Sequence, residues 1–119
     1  MQRSDFKDLK VWQKGMSLTE DIYDITGAFP ESERFGMTSQ IRRSSVSIPT
    51  NIAEGHGRGS KDDFARFLYI ALGSARELET LLLLSQRIGL IGYDAPHIQQ
   101  VQEISRMLTA LIRTLKTKD

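Results

Sequence analysis

Between Lys61 and Ile88 the residues Phe64, Phe67, Ala71, Ser74, Leu78, Leu81, Ser85 and Ile88 recur at alternating intervals of three and four. Only an α-helix returns side chains to one face at that spacing. At ~1.5 Å per residue such a helix runs ~42 Å. A face that long needs partner helices of similar length to cover it. Its start is marked by Ser60 followed by Asp63, close to a capping box, with Asp62 and Asp63 favouring the positive end of the helix. Gly89 and Gly92 stop it.

The rest of the chain supplies the partners. In the first segment Val11, Leu18, Ile22, Ile25 and Phe29 keep the same spacing, with Gly15 filling one place. A second stripe of Leu9, Trp12, Met16, Thr19 and Tyr23 lies beside it, which predicts a wide buried face. Asp5 or Asp8 is placed to cap this helix, and Gly27 and Pro30 end it. A second helix starts near Thr38 or Ser39. Its stripe is Met37, Ile41, Ser44, Ile48, Ile52 and Gly55, and Gly55, Gly57 and Gly59 close it. The fourth carries Ile98, Val101, Ser105, Leu108, Ile112 and Leu115, with Asp94 as its expected cap and Pro96 in its first turn. Its basic end, "RTLKTKD", suits a helix C-terminus. No segment alternates with period two. The expected fold is all-α, an antiparallel up-down-up-down four-helix bundle forming one domain over residues 1–119.

The chain has no cysteine, which excludes disulfides, thiolate chemistry and cysteine-based zinc sites. That fits a reducing, cytoplasmic setting. The start, "MQRSDFKDLKVWQKG", lacks the apolar core of a signal peptide. The longest apolar run, Leu81 to Leu84, is far short of a membrane span. The formal net charge of +1 conceals segregation. Residues 1–33 carry four Lys/Arg against seven Asp/Glu, and residues 34–61 carry five against one. Residues 62–104 carry three against six, and residues 105–119 carry four against one.

The densest motif is "SVSIPTNIAEGHGRGSKDDF", Ser45 to Phe64. Pro49 removes a backbone N–H and crowds the carbonyl of Ser45, so the helix should kink there. It should not stop, because the apolar stripe keeps its phase from Ile41 to Ile52. Ser45, Ser47 and Thr50 are placed to re-satisfy the freed backbone groups. Small residues at 44, 45 and 47, matched by Gly73, Ser74 and Ala75, predict a close helix pair. Asn51 and Glu54 share a face while His56 points elsewhere. No nucleophile has a base at helical spacing, so Asn51 and Glu54 are read as hydrogen-bonding across helices or capping the bend. Neither His56 nor His97 follows a Glu by three, which rejects a bundle di-metal site. His97 is expected to be solvated. "GHGRGSK" follows a helix and lacks the Walker order. A simple anion site there would compete with Asp62 and Asp63. No enzyme activity, cofactor or metal is expected.

The basic residues of the central segment are the other feature. At ~100° per residue Arg43 lies opposite the buried stripe, with Val46, Thr50 and Glu54. Arg42 lies nearer the edge of the buried face. Arg58 and Lys61 sit at the corner between the second and third helices. Two readings stand side by side: a solvated face with local ion pairs, or a basic strip for phosphates. Aromatic interleaving is weak in this segment, so a stacking platform for single strands is not expected from it.

Three stretches carry a resemblance: "FKDLKVWQKG", "FPESERFGMTSQIRRSSVSIPTNIAEGHGRGS" and "FLYIALGSARELETLL". Together they resemble the four-helix-bundle family of 23S rRNA-intervening-sequence proteins, also labelled S23 ribosomal proteins. The likeness runs from Phe6 to about Leu115. Its central motif is Gln40, Arg43, Ser47, Ile48, Asn51, Ile52, Ala53, Glu54 and Gly55. The resemblance implies a ring-like homopentamer of bundles. It also implies kinship with the accessory variability determinant of diversity-generating retroelements, a basic barrel that binds nucleic acid and a reverse transcriptase.

The leading expectation is a non-enzymatic, oligomeric bundle that binds structured RNA, other nucleic acid or a nucleic-acid-handling protein. Arg42, Arg43, Arg58 and Lys61 would hold the phosphates, and Gln40, Ser47, Pro49, Asn51, Glu54 and Gly55 would serve structure. The alternative is a protein–protein assembly module with no nucleic-acid role, using Phe35, Val46 and the small-residue faces.

Overall fold

The computed structural model describes residues 5–117. It contains four α-helices, Lys10–Thr26 (α1), Met37–His56 (α2), Lys61–Arg87 (α3) and His97–Lys116 (α4), and no strand among the described residues. Lys118 and Asp119 of the basic tail lie outside them.

The helix ends have local causes. Asp5 caps a short 3-10 turn, Phe6–Asp8, by accepting a hydrogen bond from the Lys7 amide at 2.9 Å. That bond holds the Asp5 carboxyl below its usual pKa. Asp5 therefore caps this turn, while α1 begins after Leu9 with no side-chain cap. At α2 the Glu33 carboxylate accepts from the Met37 amide at 3.2 Å. Ser60 caps α3 by accepting from the Asp63 amide at 3.1 Å, as its spacing predicts. Gly59 and Gly89, with φ of 91° and 83°, make the left-handed turns on either side of α3. Asp94 does not cap α4. Pro96 holds the cap position, and Asp94 lies in the preceding turn, where the Ala95 amide donates to the Gly92 carbonyl.

Cross-helix contacts set the directions. Thr19 meets Ser45 and Thr26 meets Arg42 between α1 and α2. Ser47 meets Ser74, and Gly55 abuts Phe67, between α2 and α3. Gln102 reaches Glu79, and Lys116 lies over Tyr69, between α3 and α4. Lys14–Glu103 and Asp21–Gln100 close the ring between α4 and α1. In each pair the numbers rise on one helix as they fall on the other, which is the expected up-down-up-down order. Each helix packs on two neighbours and not on the one diagonally opposite. The result is a square rod of 50 × 19 × 19 Å.

The core is a column of aliphatic side chains: Val11, Leu18 and Ile22; Ile41, Ile48 and Ile52; Leu68, Leu78 and Leu82; Val101, Ile104, Leu108 and Ile112. Burying each such side chain contributes ~1.5–3 kcal/mol. The α2 stripe matches its sequence pattern. The α3 stripe is wider than its pattern, because this helix packs against both α2 and α4. Leu68, Ala75 and Leu82 are fully buried on its axis-facing row, whereas Leu81 is half-buried. Ile88 lies past the last turn and is exposed. On α1 the face is narrower than expected. Met16 and Tyr23 are exposed because they lie outward of Thr19 on the side of α1 that meets α2, and Tyr23 is covered from one side by the Arg42 guanidinium, 4.5 Å from its ring centre.

Candidate functional site

The α2 motif is first of all a device for packing a helix that contains proline. The helix runs through Pro49 without a break. Pro49 leaves the Ser45 carbonyl without its usual N–H donor. The Thr19 hydroxyl of α1 lies 3.0 Å from that oxygen and 2.8 Å from the Gly15 carbonyl, so its single hydrogen is shared between them. Relief thus comes across the helix interface. Ser45 and Thr50 bond instead to the carbonyls of Arg42 and Val46. Gly15 faces Ile48 and Pro49, and a Cβ there would stand 3.5 Å from them.

On the other side of α2, the Ser47 and Ser74 hydroxyls are 2.8 Å apart. Asn51 donates to the Ser47 hydroxyl and carbonyl within the same helix, not across the interface. Gly55 allows the closest approach. A Cβ there would lie 2.5 Å from the Phe67 Cβ and 3.3 Å from the Phe64 carbonyl, so only glycine fits. His56 packs edge-on against the Phe64 ring. Glu54 pairs with Arg58 at 2.9 Å. Gln40 lines an open groove between α2 and α3 with Phe35, Arg43, Ser44, Ser47, Ser74 and Glu77.

The four basic residues do not gather in one place. Arg42 folds inward: its Nε donates to the Thr26 hydroxyl at 2.8 Å, and its Nη2 lies 3.4 Å from the Tyr23 carbonyl. It closes the negative end of α1, a helix-capping task. Arg43 is exposed on the outer face with Val46, Thr50 and Glu54, as the helical angle predicts. It makes no hydrogen bond or ion pair among the described residues. Arg58 lies fifteen positions further along the chain, ~22 Å away at helical rise. Its guanidinium is 4.7 Å from the Phe67 ring centre, and that of Arg66 is 4.6 Å from the same ring. Lys61 is exposed in the first turn of α3.

Topology gathers other cations that no sequence window joins. The start of α1, the end of α2, the start of α3 and the end of α4 share one end of the rod. Lys7, Lys10, Arg58, Lys61, Arg66, Arg113 and Lys116 therefore lie there, against Asp5, Asp8, Glu54, Asp62 and Asp63. The end of α4 was legible as basic. Its meeting with α3 needed the packing.

His97 departs from expectation. It is 8% exposed, and its Nδ1 is buried with no hydrogen-bond partner. Burial pushes its pKa below the usual imidazole value, and the Asp21 carboxylate opposes that push. His97 borders an open cleft between α1 and the start of α4, which Asp21, Asp24, Ile25 and Pro96 also line. No group of three or more potential metal ligands occurs among the described residues. No helix there is long and apolar enough to cross a membrane.

These features define a strandless bundle whose polar side chains chiefly brace helix packing, and whose exposed chemistry is a set of cations and an open groove. Within that class the chain belongs to the 23S rRNA-intervening sequence protein family, whose pattern it matches over residues 7–110. It is similar to the crystal structure of a protein of unknown function from the S23 ribosomal protein family of Bacteroides thetaiotaomicron. The TM-score is 0.80 and the identity 30%, over 87% of this chain and 95% of that one. Neither description names an enzymatic activity. No curated protein matches the sequence.

Proposed function

We propose that this chain is a non-enzymatic helical bundle that assembles as a homo-oligomer and binds structured RNA through its phosphates. The observation that carries the reading is the basic end of the rod, where cations from α1, α3, α4, the turn before α1 and the corner between α2 and α3 outnumber the carboxylates. Arg58 and Lys61 act there as phosphate ligands, and Arg43 provides a second contact on the outer face of α2. Arg42 serves the interface indirectly, by closing α1. Assembly into a ring would repeat each cation around the symmetry axis and raise the local field. The association with rRNA intervening sequences that the family's name carries favours RNA over DNA.

The test is binding of the purified protein to a labelled RNA hairpin and a matched DNA duplex across a salt series. The expected result is preference for RNA, with log K falling by ~0.7–0.9 per phosphate neutralised for each decade of salt. Loss of that slope on neutralising Arg43, Arg58 and Lys61 together supports the assignment. Absence of binding at low salt would overturn it.

A second reading, assembly without nucleic acid or on a nucleic-acid-handling protein, has its own observation. Gly73 lies in the middle of α3, exposed, with nothing within 4 Å of where a Cβ would be. Helical glycine costs ~0.5–1 kcal/mol relative to alanine. No contact within the chain accounts for it. It neighbours Ser74 on the groove that holds Phe35, which is 88% exposed. Close approach of another chain would use both. Sedimentation of the wild type and of Gly73→Ala distinguishes this surface from the basic end.

A further inference from the structure

Tyr69 is separated by more than forty positions from Arg113 and Lys116, yet the antiparallel packing of α3 on α4 sets all three around one cleft of about 250 Å³. Leu72 and Ile112 form its apolar floor. Tyr69 is half exposed, and the Lys116 ammonium lies 5.4 Å from its ring centre. Arg113 and Lys116 stand one helical turn apart, both exposed. Neither makes an ion pair among the described residues. At the neighbouring corner, by contrast, Arg58 is answered by Glu54 and Arg66 by Asp63. The cleft is therefore a place at the basic end where an exposed aromatic face, an apolar floor and uncompensated positive charge coincide.

We propose that this cleft takes an unpaired nucleotide of a bound RNA, with the base against Tyr69 and the adjoining phosphates on Arg113 and Lys116. The inference rests on the RNA-binding reading above and assigns it a site which that reading does not contain. Each component has a separate reason. A base offers a π-face of any sequence to an aromatic ring, and the backbone beside it offers anions. The apolar floor rewards a flat, poorly hydrated group, which a phosphate or a simple acidic side chain lacks. A cleft of this size admits one ring and excludes a duplex, so the site distinguishes a frayed, looped or overhanging nucleotide from a paired one. The stacking platform that is missing from the central basic segment is thus assembled from two other helices.

The test compares two RNAs of equal phosphate count, a blunt duplex and a duplex with a short single-stranded overhang, using the full chain. Tighter binding of the overhang RNA is expected. Tyr69→Leu, which keeps the apolar bulk, should lower that affinity about 5- to 100-fold, while Tyr69→Phe retains it. Replacing both Arg113 and Lys116 by Gln should reduce the salt slope on the overhang RNA by roughly 1.4. If Tyr69→Leu leaves the overhang preference intact, or if the wild type binds both RNAs equally, the cleft assignment is overturned while RNA binding itself stands. If the wild type binds neither RNA at low salt, both readings fall.

Discussion

The Thr19 hydroxyl of α1 donates toward the Ser45 carbonyl of α2 at 3.0 Å, the carbonyl that Pro49 deprives of its N–H. A defect in one helix is thereby answered by a side chain of another. Thr19→Val, nearly equal in volume, should leave that oxygen unsatisfied and lower stability by ~1–3 kcal/mol. In a Pro49→Ala background the restored amide should serve Ser45, and the same substitution should cost less. A double-mutant cycle by urea denaturation measures the difference, and additive effects would show that the two residues do not act together.

Gly55 and Gly73 should respond in opposite directions to alanine. At Gly55 the new Cβ meets the Phe67 Cβ at 2.5 Å, which forces α2 and α3 apart, and a loss of ~1–3 kcal/mol is expected. At Gly73 it meets nothing within 4 Å, and a gain of ~0.5–1 kcal/mol is expected in dilute protein. Thermal melts at low concentration check both. A Gly73→Ala protein that melts higher but sediments as smaller species would mark α3 as an assembly surface.

Arg42 and Arg43 are adjacent in sequence and divide in use. Arg42→Met removes the donor that closes α1, and should cost ~1 kcal/mol of stability with little change in the salt slope of RNA binding. Arg43→Met should leave stability within ~0.5 kcal/mol and reduce the slope by roughly 0.7. Melting curves and anisotropy titrations on the same preparations separate the two roles.

His97 gives the fold a pH dependence. Burial lowers its pKa in the folded protein from 6.5, so the unfolded chain binds the extra proton first. Its contribution to stability is complete above that value and is lost as pH falls from it toward the lower folded pKa. The charged groups facing it from α1 are Asp21 and Asp24. Denaturation midpoints measured between pH ~5 and ~7.5 should fall on the acid side. His97→Leu should flatten that part of the profile.

Much of this architecture was legible in the residues. The α2 stripe, the Ser60 cap, the glycine corner and the outward face of Arg43 follow from period and capping chemistry alone. What was not legible depended on the identity of neighbours. Nothing near Pro49 in sequence points to Thr19, because the oxygen it serves lies on another helix. Asp94 has the chemistry of a cap and loses the position to Pro96, whose fixed φ fits there. Met16 and Tyr23 follow the helical period yet face outward, since a period specifies a face without specifying what covers it. The same limit separates Tyr69 from Arg113 and Lys116 until the two helices are laid side by side.

A rod 50 Å long and 19 Å across has an interior only one side chain deep at every level. Its integrity is a matter of phase. Deleting one residue inside α3 would rotate everything beyond it by ~100° and turn its buried leucines out of register with α2 and α4 at once. The same deletion between Arg87 and His97, where no helix is running, would be absorbed. Length variation in such a chain is confined by geometry to its corners, so its long grooves keep their width and spacing.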